Sequence, residues 1–155
     1  MKNTSLYIKE AIKEAKKAYK KGEIPVGSLI VKDGRIISRG HNLVETLDDP
    51  TAHAEIVAIR YGAKKLKNWR LSGCTLYTTV EPCPMCYSAI EQARISKVVY
   101  GCKSNYYKLN RKSSFEKKTV GLKLQKKCGN LLKRFFKKLR DKASNAERIS
   151  VNNDF

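Results

Sequence analysis

Pro50-Thr51-Ala52-His53-Ala54-Glu55 and Glu81-Pro82-Cys83-Pro84-Met85-Cys86 are the two stretches around which the rest of the chain can be read. They supply one imidazole, a carboxylate two residues beyond it, and a pair of thiols in Cys-x-x-Cys spacing. A tetrahedral Zn²⁺ held by one His and two Cys keeps its fourth position for water, the mark of a catalytic rather than a structural site. A carboxylate beside such a water is placed to move protons. Both stretches also carry helix-opening prolines, Pro50 and Pro82, so the sequence predicts that two helix entrances meet at the metal.

Working outward from the second stretch, Cys74–Val80 is rich in β-branched and aromatic residues and reads as an interior strand. A helix over 82–94 and a strand over 96–101 follow, a βαβ pattern that implies a locally parallel sheet. The first stretch opens a helix running to about Lys67, with Ile56 and Ile59 near its apolar stripe and with His53 and Glu55 in its first turn. Upstream, 5–20 reads as a helix with Ile8, Ile12, Ala15 and Tyr19 on one face, ended at Gly22. A strand over 24–31, the two-residue turn Asp33-Gly34 and a strand over 35–40 make an antiparallel pair, and 42–49 reads as a loop.

Downstream the composition shifts. Residues 103–148 hold 16 Lys and Arg against 3 acids, with weak periodicity until Asn130. Beyond it Leu131, Leu132, Phe135, Phe136 and Leu139 form an apolar stripe flanked by Lys133, Arg134, Lys137, Lys138 and Arg140, an amphipathic basic helix that docks its Phe pair and leaves its charge outside. The expected organisation is one zinc-dependent domain over 1–142, basic helix included, with a frayed polar tail over 143–155.

Length and composition bound the function. A chain of 155 residues with 41% hydrophobic content suits a single globular domain. No apolar run approaches the ~20 residues that span a bilayer, and no signal core follows the N-terminus, so a cytoplasmic protein is expected. The net charge of +19 suits a polyanionic partner such as nucleic acid, while a Lys-rich bias that only solvates the surface is the plainer alternative. Five cysteines, an odd number, disfavour a disulfide framework; Cys74, Cys102 and Cys128 stand among apolar neighbours and read as buried small side chains.

The chemistry accounts for each member of the motif pair. Hydrolytic deamination replaces an exocyclic amine on an aromatic ring with oxygen, which needs a strong nucleophile near neutral pH; zinc can lower the pKa of a bound water to ~7. A carboxylate must then take a proton, protonate the ring and finally protonate the departing ammonia. Taken singly, His53 would be a structural histidine, Cys83 and Cys86 a redox pair or half of a structural zinc site, and Glu55 an ordinary helix acid. Taken together they match the His-x-Glu and Pro-Cys-x-x-Cys signature of zinc deaminases. Glu81 reads as a structural residue at a strand end.

The runs Ile24-Pro25-Val26-Gly27, Asp49–Ile56, Thr75-Leu76-Tyr77, Glu81–Cys86 and Val98-Val99-Tyr100-Gly101 resemble those of bacterial-type tRNA-specific adenosine deaminases, in the cytidine/deoxycytidylate deaminase superfamily. The resemblance implies an α/β fold, three-layer α/β/α with a five-stranded mixed sheet, in a homodimer. It also implies one Zn²⁺ per subunit and conversion of the wobble adenosine of a tRNA anticodon to inosine. By match to the motif, His53, Cys83 and Cys86 would hold zinc and Glu55 would shuttle protons. Asn42 matches an asparagine that contacts the flipped nucleotide, Ala54 the residue whose backbone faces the base, and Val26 a position where free-base deaminases usually carry Phe.

One stretch departs from the family. An Asp, a Lys and a Gly-rich loop usually follow the last clear strand, but here the chain reads Cys102-Lys103-Ser104-Asn105-Tyr106-Tyr107-Lys108-Leu109-Asn110-Arg111-Lys112, and Leu43 replaces a common Arg. Lys103, Lys108, Arg111 and Lys112 are candidates for phosphate contacts, and Tyr106 and Tyr107 for stacking on an unpaired base or for ordinary packing. Two other readings stand beside the tRNA enzyme: a deaminase of a free base or nucleoside, of guanine or cytosine type, and a non-catalytic RNA-binding partner subunit.

Overall fold

The computed structural model describes residues 3–104 and 113–151. Five strands, β1 (Gly27–Lys32), β2 (Arg35–His41), β3 (Thr75–Val80), β4 (Lys97–Cys102) and β5 (Glu116–Thr119), form one sheet in the order β2-β1-β3-β4-β5. β1 pairs antiparallel with β2 and β3, whereas β3–β4 and β4–β5 are parallel. The helices are α1 (Thr4–Lys20), α2 (Val44–Leu47), α3 (Ala54–Leu66), α4 (Pro84–Gln92) and α5 (Leu122–Val151). The mixed sheet follows from its connections: the Asp33-Gly34 turn, with both residues at positive φ, returns the chain antiparallel, and α4 carries it parallel from β3 to β4.

Strand alternation makes two cores. Leu29, Val31, Tyr77 and Val99 point to one face, where they pack with Tyr7, Ile8, Ala11 and Ile12 of α1 and Cys128 of α5. Ile30, Leu76, Val98 and Tyr100 point to the other, against Ala58 of α3 and Tyr87 and Ile90 of α4. The result is the expected three-layer α/β/α arrangement. Gly40 sets how close α3 lies on β2: a Cβ there would collide with the Ala54 carbonyl and the Ala58 N–H, so only glycine admits the helix at this separation.

Several expectations need correction. The helix expected from Pro50 begins at Ala54, and His53 is its N-cap in extended conformation rather than a first-turn residue. Asp49 is the cause: its Oδ1 accepts from the Thr51 N–H at 2.8 Å and the Thr51 hydroxyl at 2.6 Å, holding 49–52 in a turn. The loop over 42–49 contains the short helix α2. β5 was hidden in the Lys-rich stretch because Glu116-Lys117-Lys118-Thr119 is a charged edge strand, held by backbone pairing to β4 and by buried Phe115 and Val120 at its ends.

The C-terminal helix also differs at both ends. It starts at Leu122, nine residues before the apolar stripe, with Cys128 buried against the sheet. It continues to Val151 where a frayed tail from Ala143 was expected, since 143–151 contains neither Gly nor Pro and includes the helix formers Ala, Glu and Arg. Phe135 is buried and meets the Tyr19 ring edge-on at 5.8 Å, while Leu139 is exposed, as are the side chains from there to Asn145.

Candidate metal centre and active site

The two helix entrances do meet. His53 caps α3 and Cys83 caps α4, both in extended backbone conformation, and Cys86 lies buried in the first turn of α4. The His53 Nδ1 stands 3.6 Å from Cys83 Sγ and 3.5 Å from Cys86 Sγ, and the three ligand atoms lie within 4.8 Å of one another. Bond lengths of ~2.1 Å to nitrogen and ~2.3 Å to sulfur at a tetrahedral angle require an N···S separation of about 3.6 Å. The donor set, its spacing and the lack of a fourth protein ligand among the described residues therefore fit a catalytic zinc ion.

The same proximity couples the three groups electrostatically. The Cys83 thiol is pushed down to about 4, chiefly because the Cys86 thiol donates to it, and His53 assists. Cys86 is driven strongly upward by that shared hydrogen bond and by its burial, and the His53 imidazole is raised through its hydrogen bond with Cys83. Such a set is ready to exchange protons for a metal.

Glu55 follows two residues after His53 in the first turn of α3 and is only 4% exposed. Its Oε1 accepts from the Thr78 hydroxyl on β3 at 3.4 Å. Burial pushes its carboxyl upward, the direction a proton shuttle needs. Glu81 instead accepts from the Ser104 N–H at 3.4 Å, while its own N–H donates to the Cys102 carbonyl at 2.8 Å, which makes it a tie at the strand ends.

Asn42 leaves β2 and is 5% exposed; its backbone N–H donates to the Val26 carbonyl at 3.2 Å. The next residue, Leu43, donates to the Ala52 carbonyl at 3.0 Å, which ties this segment to the one carrying His53. Ala54 is fully buried as the first residue of α3, and Val26 is half-buried just before β1. Lys103 is exposed beyond β4; Tyr106, Tyr107, Lys108, Arg111 and Lys112 lie outside the described residues. A cavity of about 460 Å³ at the hairpin end of the sheet, lined by Tyr7, Gly34, Thr75 and Tyr77 among others, contains none of these groups.

Sequence reasoning missed Glu23. This carboxylate is fully buried and receives the Asn42 side-chain N–H at 3.0 Å. Its only signal was an acid in the otherwise apolar run Ile24-Pro25-Val26, and nothing local pairs it with residues some twenty positions later.

Residues 1–102 match the family model of the cytidine and deoxycytidylate deaminase zinc-binding region. The chain is 44% identical to a tRNA-specific adenosine deaminase of Bacillus subtilis (strain 168) over 157 aligned positions, covering 96% of this chain and 98% of that one. A solved structure from work on A-to-I editing by tRNA:A34 deaminases at the wobble position of transfer RNA superposes with TM-score 0.76 at 33% identity, over 83% of this chain and 99% of that one. The structure of a Bacillus subtilis guanine deaminase superposes with TM-score 0.61 at 46% identity, over 64% of each chain.

Proposed function

The chain belongs to the zinc-binding cytidine and deoxycytidylate deaminase family, and we propose that His53, Cys83 and Cys86 hold its zinc ion while Glu55 moves the protons. The reaction is hydrolytic deamination of the wobble adenosine in a tRNA anticodon: adenosine and water give inosine and ammonia. The observation that carries the tRNA reading is the extent of the match. Identity of 44% to the tRNA-specific adenosine deaminase is kept over 96% of the chain, the basic C-terminal helix included.

Zinc, when bound, supplies a water acidified to a pKa of ~7. The other work falls to side chains. Glu55, buried and raised, takes a proton from the attacking water and delivers it to a ring nitrogen, then takes the remaining proton of the added oxygen and passes it to the amine, which leaves as ammonia. Thr78 holds the Glu55 carboxyl by its hydroxyl. Asn42 contacts the flipped nucleotide, the Ala54 backbone faces the base, and Val26, whose carbonyl accepts the Asn42 N–H, is assigned to the same substrate site.

The basic surface serves the rest of the tRNA. Lys133, Arg134, Lys137, Lys138 and Arg140 are exposed on α5, as Lys103 is beyond β4, and an RNA is gripped largely through its phosphates. Tyr106, Tyr107, Lys108, Arg111 and Lys112 are assigned to the same contact region from sequence. The working unit is a homodimer in the cytoplasm; among the described residues no helix is long and apolar enough to cross a membrane. Incubating the purified protein with unmodified tRNA and scoring inosine at the wobble position tests the whole reading. Absence of inosine together with ammonia release from free guanine or cytosine would replace it with the free-base activity.

A further inference from the structure

Glu23 is a buried carboxylate that the zinc chemistry does not use. It lies between the end of α1 and the start of β1, with its own N–H bonded to the Ala18 carbonyl at 3.0 Å. An ionised carboxylate is tolerated in such a place only if its lone pairs are met by donors. They are: Oε1 accepts from the Thr46 N–H and the Thr46 hydroxyl, both at 2.7 Å, and Oε2 accepts from the Glu45 N–H at 3.3 Å and Asn42 Nδ2 at 3.0 Å. The Glu45 and Thr46 amides belong to the first turn of α2, whose N-cap Leu43 provides no side-chain cap. Glu23 caps that helix from across the chain and holds Asn42 in the same grip.

We propose that Glu23 is a positioning residue for substrate recognition, one that sets the orientation of the Asn42 amide presented to the nucleotide. The inference rests on the reading of Asn42 as a nucleotide contact. An ionised carboxylate can only accept, so the amide facing it must turn an N–H inward. The Asn42 carbonyl oxygen then has no protein partner among the described residues, and it and the second N–H remain for the ligand. Glu23→Gln keeps the shape but reverses this logic. One oxygen of Gln can still serve both Thr46 donors. Its amide nitrogen would then give up the Glu45 N–H, which it cannot accept, and face Asn42, which must turn its carbonyl inward, so the nucleotide meets a reversed amide.

The test is a double-mutant cycle on inosine formation in tRNA, with zinc content and thermal melting measured for every protein. It compares the native protein, Glu23→Gln, Asn42→Ala, the double variant, and Thr46→Val as a control that removes a donor to Glu23 without touching the Asn42 bond. Glu23→Gln is expected to lower kcat/KM by roughly tenfold or more, the scale of one misdirected hydrogen bond. Asn42→Ala should lose at least as much, and the double variant no more than Asn42→Ala alone. Thr46→Val should stay within about twofold of native activity even though its α2 cap is weakened. Zinc should stay at one ion per chain throughout. A Glu23→Gln loss that persists undiminished in the Asn42→Ala background, an unchanged Glu23→Gln enzyme, or an equal loss in Thr46→Val would overturn the role of Glu23 alone. An Asn42→Ala enzyme as active as native would instead overturn the reading of Asn42 beneath it.

Discussion

Residues 1–102 and the C-terminal third are built from different residue types. The first region holds 17 Lys and Arg against 10 acids and contains the proposed zinc ligands, Glu55, Asn42 and Glu23, most of them buried. The remaining 53 residues hold 16 Lys and Arg against 4 acids, so about two-thirds of the net charge of +19 sits on the final third of the chain. Chemistry on one bond requires a few groups held within ångströms, which burial and helix caps provide. Holding a polyanion requires many charges spread over a surface, with little demand on any one of them. The two regions should therefore fail differently when perturbed.

The largest effect is expected from the ligands. Cys86→Ser should remove zinc to below about a tenth of an ion per chain, abolish inosine formation and lower the melting temperature, because metal binding and folding are linked through the caps of α3 and α4. Metal analysis and a thermal melt on the same sample decide it; a variant that keeps full zinc would remove Cys86 from the ligand set. Next comes Glu55→Ala, which should keep one zinc per chain and lose at least about 10³-fold in turnover, within the usual worth of a general acid-base group. Because it deletes a buried carboxyl held up in pKa rather than a ligand, its melting temperature should not fall with its activity. The pair separates holding the metal from using it.

The basic region should behave in the opposite way. Replacing Lys133, Arg134, Lys137 and Lys138 together by Gln removes four exposed charges while leaving Phe135 docked on Tyr19. Zinc content and turnover at saturating tRNA should stay native and KM should rise. The salt dependence of binding should flatten by about 0.7–0.9 in log–log slope for each phosphate that the variant no longer neutralises. A fall in kcat at saturation would break the division between the regions. An unchanged KM and slope would mean that this face of α5 is only solvated surface.

The same division explains what could be read from the chain alone. The meeting of His53, Cys83 and Cys86 was legible because His53-Ala54-Glu55 and Cys83-Pro84-Met85-Cys86 have fixed local spacing, and the βαβ unit because 74–101 alternates cleanly between strand and helix patterns. β5 was not, since an edge strand needs only backbone pairing and Glu116-Lys117-Lys118-Thr119 carries no apolar period. The start of α3 was misplaced because Pro50-Thr51 is a helix signal that Asp49 diverts into a turn. Glu23 was invisible for a deeper reason: its partners are Asn42, Glu45 and Thr46, and no local pattern announces a bond that crosses from the end of α1 to α2.

That bond supplies the smallest effect and the finest contrast between the regions. Burial of Glu23 would raise its carboxyl, but the hydrogen bonds from Thr46, Glu45 and Asn42 outweigh it and hold the group below the usual carboxylate range. A lowered folded value means that the stabilisation is fully present above the unfolded carboxylate pKa of about 4.3 and is lost as pH falls through the lower folded value. Glu23→Gln mimics the protonated acid at every pH. Its melting temperature should therefore lie below native at pH 7, with the gap constant down to about pH 5 and closing below it. The four substitutions on α5 leave the hydrogen bonds to Glu23 in place, so their offset from native should not track this window. A gap for Glu23→Gln that stays constant down to pH 3 would show that its carboxylate is not the acid-sensitive tie between the end of α1 and the segment from Asn42 to Thr46.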